Sequence, residues 1–223
     1  MWGSFIFQLY HCKMEMDFRQ NWNGAWQDEK FRQLFIVGFA ILFGILAFFP
    51  FFFIMIERRH GYVINDYLLS SFQPRNVSML VFVIIWLTVL LAIVRCVQQP
   101  QILIVLLWGY VILNLLRILT ITLVPLDPPL TLIELKDPLS NAFYGKRFIT
   151  KDLFFSGHTS TMFLICLCMK QKWDKVACLF STVTVGMLVL VQHVHYTIDV
   201  LAAILFCGPI YWLAKKVTRD VAS

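Results

Sequence analysis

From Phe35 to Ile56 the chain runs without a single charged side chain. That stretch is long enough to cross ~30 Å of hydrocarbon as one helix. Five further apolar runs follow, at residues 77–94, 101–125, 153–169, 176–194 and 196–214. The fourth is the shortest and opens on polar residues, and the third carries Arg117. A chain with six such runs is constrained before any motif is read. In lipid every backbone N–H and C=O must be paired internally, so each run is expected to be a helix.

Composition agrees. Charged residues make up 14% of the chain against about a quarter in an ordinary soluble domain. Phe alone accounts for 21 of 223 residues, which suits lipid-facing helices. The expected fold class is an all-α membrane protein, a six-transmembrane-helix bundle. Residues 1–34 read as a polar cytoplasmic or interfacial arm, residues 35–215 as the catalytic bundle and residues 216–223 as a cytoplasmic tail. The arm carries Trp2, Trp22 and Trp26, residues that favour the membrane interface. It holds eight charges and no small-residue cleavage site after an apolar stretch, so it does not read as a signal peptide.

Six spans place both termini on one side. That side holds Lys13, Arg19, Lys30, Arg32, Arg95, Lys170, Lys172, Lys175, Lys215, Lys216 and Arg219. The other holds Arg58, Arg59, Arg75, Lys136, Lys146, Arg147 and Lys151. Eleven against seven favours cytoplasmic termini, and the 126–152 loop is then outside. The net charge of +6 is spread over loops, with no cluster dense enough for nucleic acid. Cys96, Cys166, Cys168, Cys178 and Cys207 fall in or beside spans, where Cys behaves as a small apolar residue, and Cys12 stands alone. No Cys-x-x-Cys or His-rich spacing points to a metal, and no cofactor is expected. Asn76-Val77-Ser78 matches a glycosylation sequon but abuts a span, so it is expected to be unused.

Two motifs carry chemistry. Ser156-Gly157-His158-Thr159 opens the fourth run, and His195-Tyr196-Thr197-Ile198-Asp199 opens the sixth. In a six-span topology both histidines reach the same membrane face. Asp199 lies four residues after His195, on the same helix face. It can accept Nδ1–H and leave Nε2 free to attack. His158 opposite would serve as acid and then base. His193 lies near but has no carboxylate four residues on. Two helix N-termini at one place make an anion site. Ser156 is the expected N-cap, Gly157 allows close backbone approach, and Thr159 and Thr197 add hydroxyls. Arg117, a charge inside a span, is expected to face the bundle interior with a lipid phosphate as partner. Asp152 reads either as a helix cap or as part of the site, and Glu134 as a solvated loop carboxylate.

At these residues the chain resembles the PAP2 lipid phosphatase superfamily, and within it the sphingomyelin synthase branch. The superfamily pattern is Ser-Gly-His followed by His-x-x-x-Asp on a later span. The synthase pattern adds an Asp six positions before the first His, here Asp152, and His-Tyr-Thr-x-Asp-Val, here His195 to Val200. Arg117, Thr120 and Pro125 also look similar. The chain departs from that pattern at Thr150-Lys151, at Asn65-Asp66 and at Ile204. The resemblance implies six helices around a His158, His195 and Asp199 triad on the luminal or exterior face. Asp152, Ser156, Gly157, Thr159, Tyr196, Thr197 and Arg117 would then line the substrate site. The implied reaction moves phosphocholine or phosphoethanolamine from a phospholipid donor to ceramide or another lipid alcohol. Two other readings stay open: a lipid phosphate phosphatase using the same phosphohistidine, and a non-catalytic lipid-binding protein.

Overall fold

The computed structural model describes residues 20–135 and 149–221. Expectations resting on Trp2, Cys12, Lys13, Arg19, Lys136, Lys146 and Arg147 lie outside the described residues. The described chain is all-α. Its helices are α1 (Glu29–Glu57), α2 (Ser78–Gln98), α3 (Pro100–Leu123), α4 (Gly157–Cys168), α5 (Lys172–Val191) and α6 (Thr197–Val217), with one 3₁₀ turn at Leu69–Ser71.

Helix boundaries follow local chemistry. Asp28 caps α1 by accepting from the Lys30 N–H at 2.9 Å, and Glu29 lies in the first turn, at the positive end of the helix dipole. Pro100 stands at the start of α3, where its missing N–H costs nothing. It also pushes Gln99 into an extended conformation, so α2 and α3 are separated by a single sharp break. Residues 20–27 form a further helical segment. Trp22 there donates its indole N–H to the Val97 carbonyl at 2.6 Å, at the end of α2. This part of the arm is thus tied to the bundle rather than lying apart from it.

Among the described residues, five helices are long and apolar enough to cross a membrane: α1, α2, α3, α5 and α6. The protein is therefore a multi-pass membrane protein by the length and composition of its helices. The fourth expected span differs. Helix α4 begins at Gly157, not at 153, and its 12 residues reach only about 18 Å, short of a full crossing. Ser156 is the reason: its side chain caps the helix, so the chain before it cannot be helical. Residues 149–156 instead run in without helical structure, with Leu153, Phe155 and Ser156 buried. Irregular backbone of this kind is tolerated at depth only inside protein.

Helix α4 is the centre of the packing, flanked by α3, α5 and α6. A Cβ on Gly109 of α3 would meet Leu164 at 3.0 Å, so α3 and α4 approach closely there. The main core gathers Leu107, Leu113, Phe155, Leu164, Ala203 and Cys207 between these helices. Residues such as Phe43, Phe51, Phe180 and Leu205 point outward from α1, α5 and α6 and suit a lipid surround.

Candidate active site

The N-termini of α4 and α6 meet. The Ser156 N–H donates to the Asp199 carbonyl at 3.1 Å, joining the two helix starts through the backbone. This contact fixes the two motifs to each other although they lie far apart in sequence. The His158 and His195 rings face each other edge to face, with centroids 6.5 Å apart. His158 also meets the Phe82 ring of α2 at 6.3 Å.

His195 is oriented from behind. Its Nδ1 lies 3.3 Å from Asp199 Oδ2, and both side chains are buried. The same carboxylate oxygen accepts from the Tyr196 N–H at 3.1 Å, part of a capping box that starts α6. His195 lies just before α6, whose N-cap is Tyr196, and Asp199 sits in the first turn, so the extended N-cap rather than a helical turn carries the ring back to the carboxylate. An imidazole so held keeps its other nitrogen for a ligand.

Arg117 enters from α3. It is 8% exposed, and it is ion-paired through Nη2 to Asp152 Oδ1. Its guanidinium lies against Gly157: a Cβ there would come 2.7 Å from Cζ. Its Nε is buried without a hydrogen bond. Its protein partner is Asp152, on the non-helical segment before α4. Asp152 is not a helix cap. The sequence hid this pairing because Asp152 lies outside every helix, where no periodicity fixes its direction.

The remaining candidates divide. Ser156 accepts from the Thr159 N–H at 3.4 Å and caps α4. Thr159 Oγ1 is buried without a hydrogen bond. Thr197 is engaged by Asp66, which accepts its N–H at 2.6 Å and its hydroxyl at 3.0 Å. Tyr196 is 1% exposed, and its hydroxyl donates to the Asp127 carbonyl at 2.8 Å, so it holds a loop in place. Glu134 is exposed, as a solvated carboxylate would be.

Two supporting carboxylates escaped the sequence reading. Asp66 caps α6 from the α1–α2 loop and also accepts from the Leu68 and Leu69 N–H groups. Glu57, the last residue of α1, takes the N–H groups of Thr150 and Lys151 at 2.6 and 2.7 Å. It thereby pins the chain immediately before Asp152. The only sequence signal for Glu57 was an acidic residue beside an apolar run, and Asp66 lies in the loop between two runs, where nothing local fixes its partner.

Among the described residues no group of three or more His, Cys, Asp or Glu is placed to hold a metal ion. The arrangement offers one oriented imidazole, a second imidazole facing it, a guanidinium and two helix N-termini. These are the parts for holding an anion and moving protons around it. Comparison with curated proteins and with solved structures gave no match. One family model does match: residues 151–216, the stretch that holds Asp152, His158, His195 and Asp199, fit the PAP2 superfamily C-terminal domain.

Proposed function

We propose that the protein is an integral-membrane phospholipid headgroup transferase working through a phosphohistidine. It moves phosphocholine or phosphoethanolamine from a glycerophospholipid to ceramide or another lipid alcohol. The observation that carries this reading is the facing pair of His158 and His195, with His195 backed by Asp199.

In the first half-reaction His195 Nε2 attacks phosphorus. The bond to the diacylglycerol oxygen breaks, and His158 delivers a proton to that oxygen. Asp199 accepts Nδ1–H and stabilises the charge that develops on the ring. In the second half-reaction His158 takes the proton from the acceptor hydroxyl, whose oxygen attacks phosphorus. The P–N bond breaks and His195 is restored. In this reading Arg117 and the positive N-terminal end of α4 stabilise the phosphoryl oxygens. The active site faces away from the cytoplasm on the Lys/Arg asymmetry, which is lumenal in a eukaryotic endomembrane and periplasmic in a bacterium.

The test is an assay of purified protein in detergent with headgroup-labelled phosphatidylcholine or phosphatidylethanolamine, with and without ceramide. Label on ceramide is the expected result. Free phosphate released from phosphatidic acid, with no transfer to ceramide, would replace the transferase by a phosphatase. No turnover of any donor would leave a lipid-binding protein.

A further inference from the structure

A cavity of about 520 Å³ opens beside the start of α6. Its walls come from the α1–α2 loop, the loop after α3 and the turn between α5 and α6. Among the described residues no Lys or Arg lines it, and Asp66 is the one formally charged residue of that lining. Burial alone would raise the Asp66 pKa. The N–H groups of Thr197, Leu69 and Leu68 and the Thr197 hydroxyl outweigh that and hold it below the ordinary value. The carboxylate is therefore ionised at neutral pH.

Three aromatic rings line the same space: Phe72, His193 and Tyr196. Phe72 and His193 meet edge to face at 5.3 Å. His193 is 3% exposed, and its Nδ1 lies 2.5 Å from Thr131 Oγ1. Burial lowers the His193 pKa from 6.5, against the opposing pull of the Asp66 charge and the Phe72 backbone. The ring is neutral at neutral pH and adds no positive charge. His193 also holds φ at 57°, in the left-handed position that ends α5. Gly or Asn usually fills such a position, because a Cβ disfavours it. The fold thus accepts backbone strain where an imidazole meets the cavity.

We propose that this cavity binds an organic ammonium group. One ionised carboxylate among aromatic rings, with no Lys or Arg among the described lining residues, is the chemistry that recognises a primary or quaternary amine. The Tyr196 hydroxyl is anchored to the Asp127 carbonyl, so its ring is fixed in place. The amine can come from a free small molecule or from the zwitterionic headgroup. The second source rests on the proposed function. It is favoured because Tyr196 directly follows His195 and Asp66 grips Thr197, so cavity wall and nucleophile share one short piece of chain.

Thermal unfolding of the detergent-purified protein tests this, with phosphocholine, phosphoethanolamine, choline or inorganic phosphate at equal concentration. Phosphocholine or phosphoethanolamine should stabilise more than phosphate does. Phe72→Leu should weaken that excess about fivefold in apparent affinity, the scale of a lost cation–π contact. His193→Gly, which suits the positive φ, should weaken it as well while leaving the response to phosphate. Stabilisation by choline alone would support the site and assign it to free amines. Equal shifts with all three phosphates, or an excess unchanged in both variants, would overturn it. Transfer to ceramide is measured separately. An amine-dependent shift in a protein with no transfer would keep this site and remove the proposed reaction.

Discussion

The Arg117 guanidinium fills the space that a Cβ on Gly157 would need, with Cζ 2.7 Å from that position. A cation on α3 is therefore pressed against the first turn of α4, one residue from His158. The absence of a side chain at 157 permits this. Gly157→Ala should displace the guanidinium while leaving α4 capped by Ser156. Under the transferase reading turnover should fall on the order of 100-fold, the scale of an ångström-sized misplacement. Arg117→Lys should fall by a similar amount, because a point charge cannot reproduce a planar two-point contact to phosphate. Wild-type turnover in Gly157→Ala, with the protein folded, would show that this close approach is dispensable.

The facing histidines make a sharper claim. His158→Ala and His195→Ala should each abolish headgroup transfer in protein that still purifies as a folded species. Asp199→Asn should keep the side-chain shape but remove its charge, with a loss of about 10³- to 10⁴-fold. Labelled headgroup should be trapped on the wild-type protein when acceptor is withheld, and the adduct should be acid-labile and alkali-stable. Trapping on His195→Ala protein would remove that residue as nucleophile.

Asp66 holds α6 through both polar groups of Thr197. Asp66→Ala should cost about 1–2 kcal/mol, as the loss of an N-terminal cap does. Asp66→Asn retains one acceptor oxygen and should cost less. Both are read from the thermal midpoint in detergent. An unchanged midpoint in Asp66→Ala would mean that α6 is held by its packing alone.

Burial lowers the His193 pKa from 6.5, so the unfolded chain binds more protons at this site near and below that pH. The stability it contributes is present above about pH 6.5 and is lost as pH falls. The depressed Asp66 adds a second loss only at more acidic pH, below its ordinary 3.8. The thermal midpoint should drop from about pH 7.5 to about pH 5.5, and His193→Asn should shrink that drop. Asn tolerates the left-handed conformation, which keeps the comparison on the titration. An identical drop in the variant would place the titration elsewhere.

Tyr67 in the α1–α2 loop and Trp173 at the start of α5 are both well exposed. Cysteines placed at these two positions should react with an impermeant reagent from opposite sides of a sealed vesicle, Tyr67→Cys from the non-cytoplasmic side. Labelling of both from one side would break the orientation assigned from Lys and Arg.

The apolar runs alone were enough to make the chain helical and membrane-bound, since lipid leaves the backbone no other way to pair its polar groups. The four-residue spacing of His195 and Asp199 was legible as a local contact, but the expected shared helix face was not what formed it: His195 precedes α6 and reaches Asp199 around the extended N-cap Tyr196. Ser156 as the cap of α4 was legible as a local feature too. What lay beyond local rules was decided by the tertiary structure. Arg117 found an ion-pair partner in Asp152, on a non-helical segment. Asp66 reached across 131 positions to claim Thr197. The 12-residue α4 became the buried centre of the bundle, too short to match its neighbours. Side chains from separate loops and helices meet only after those elements have packed, and no periodicity along the chain encodes which of them will stand opposite each other.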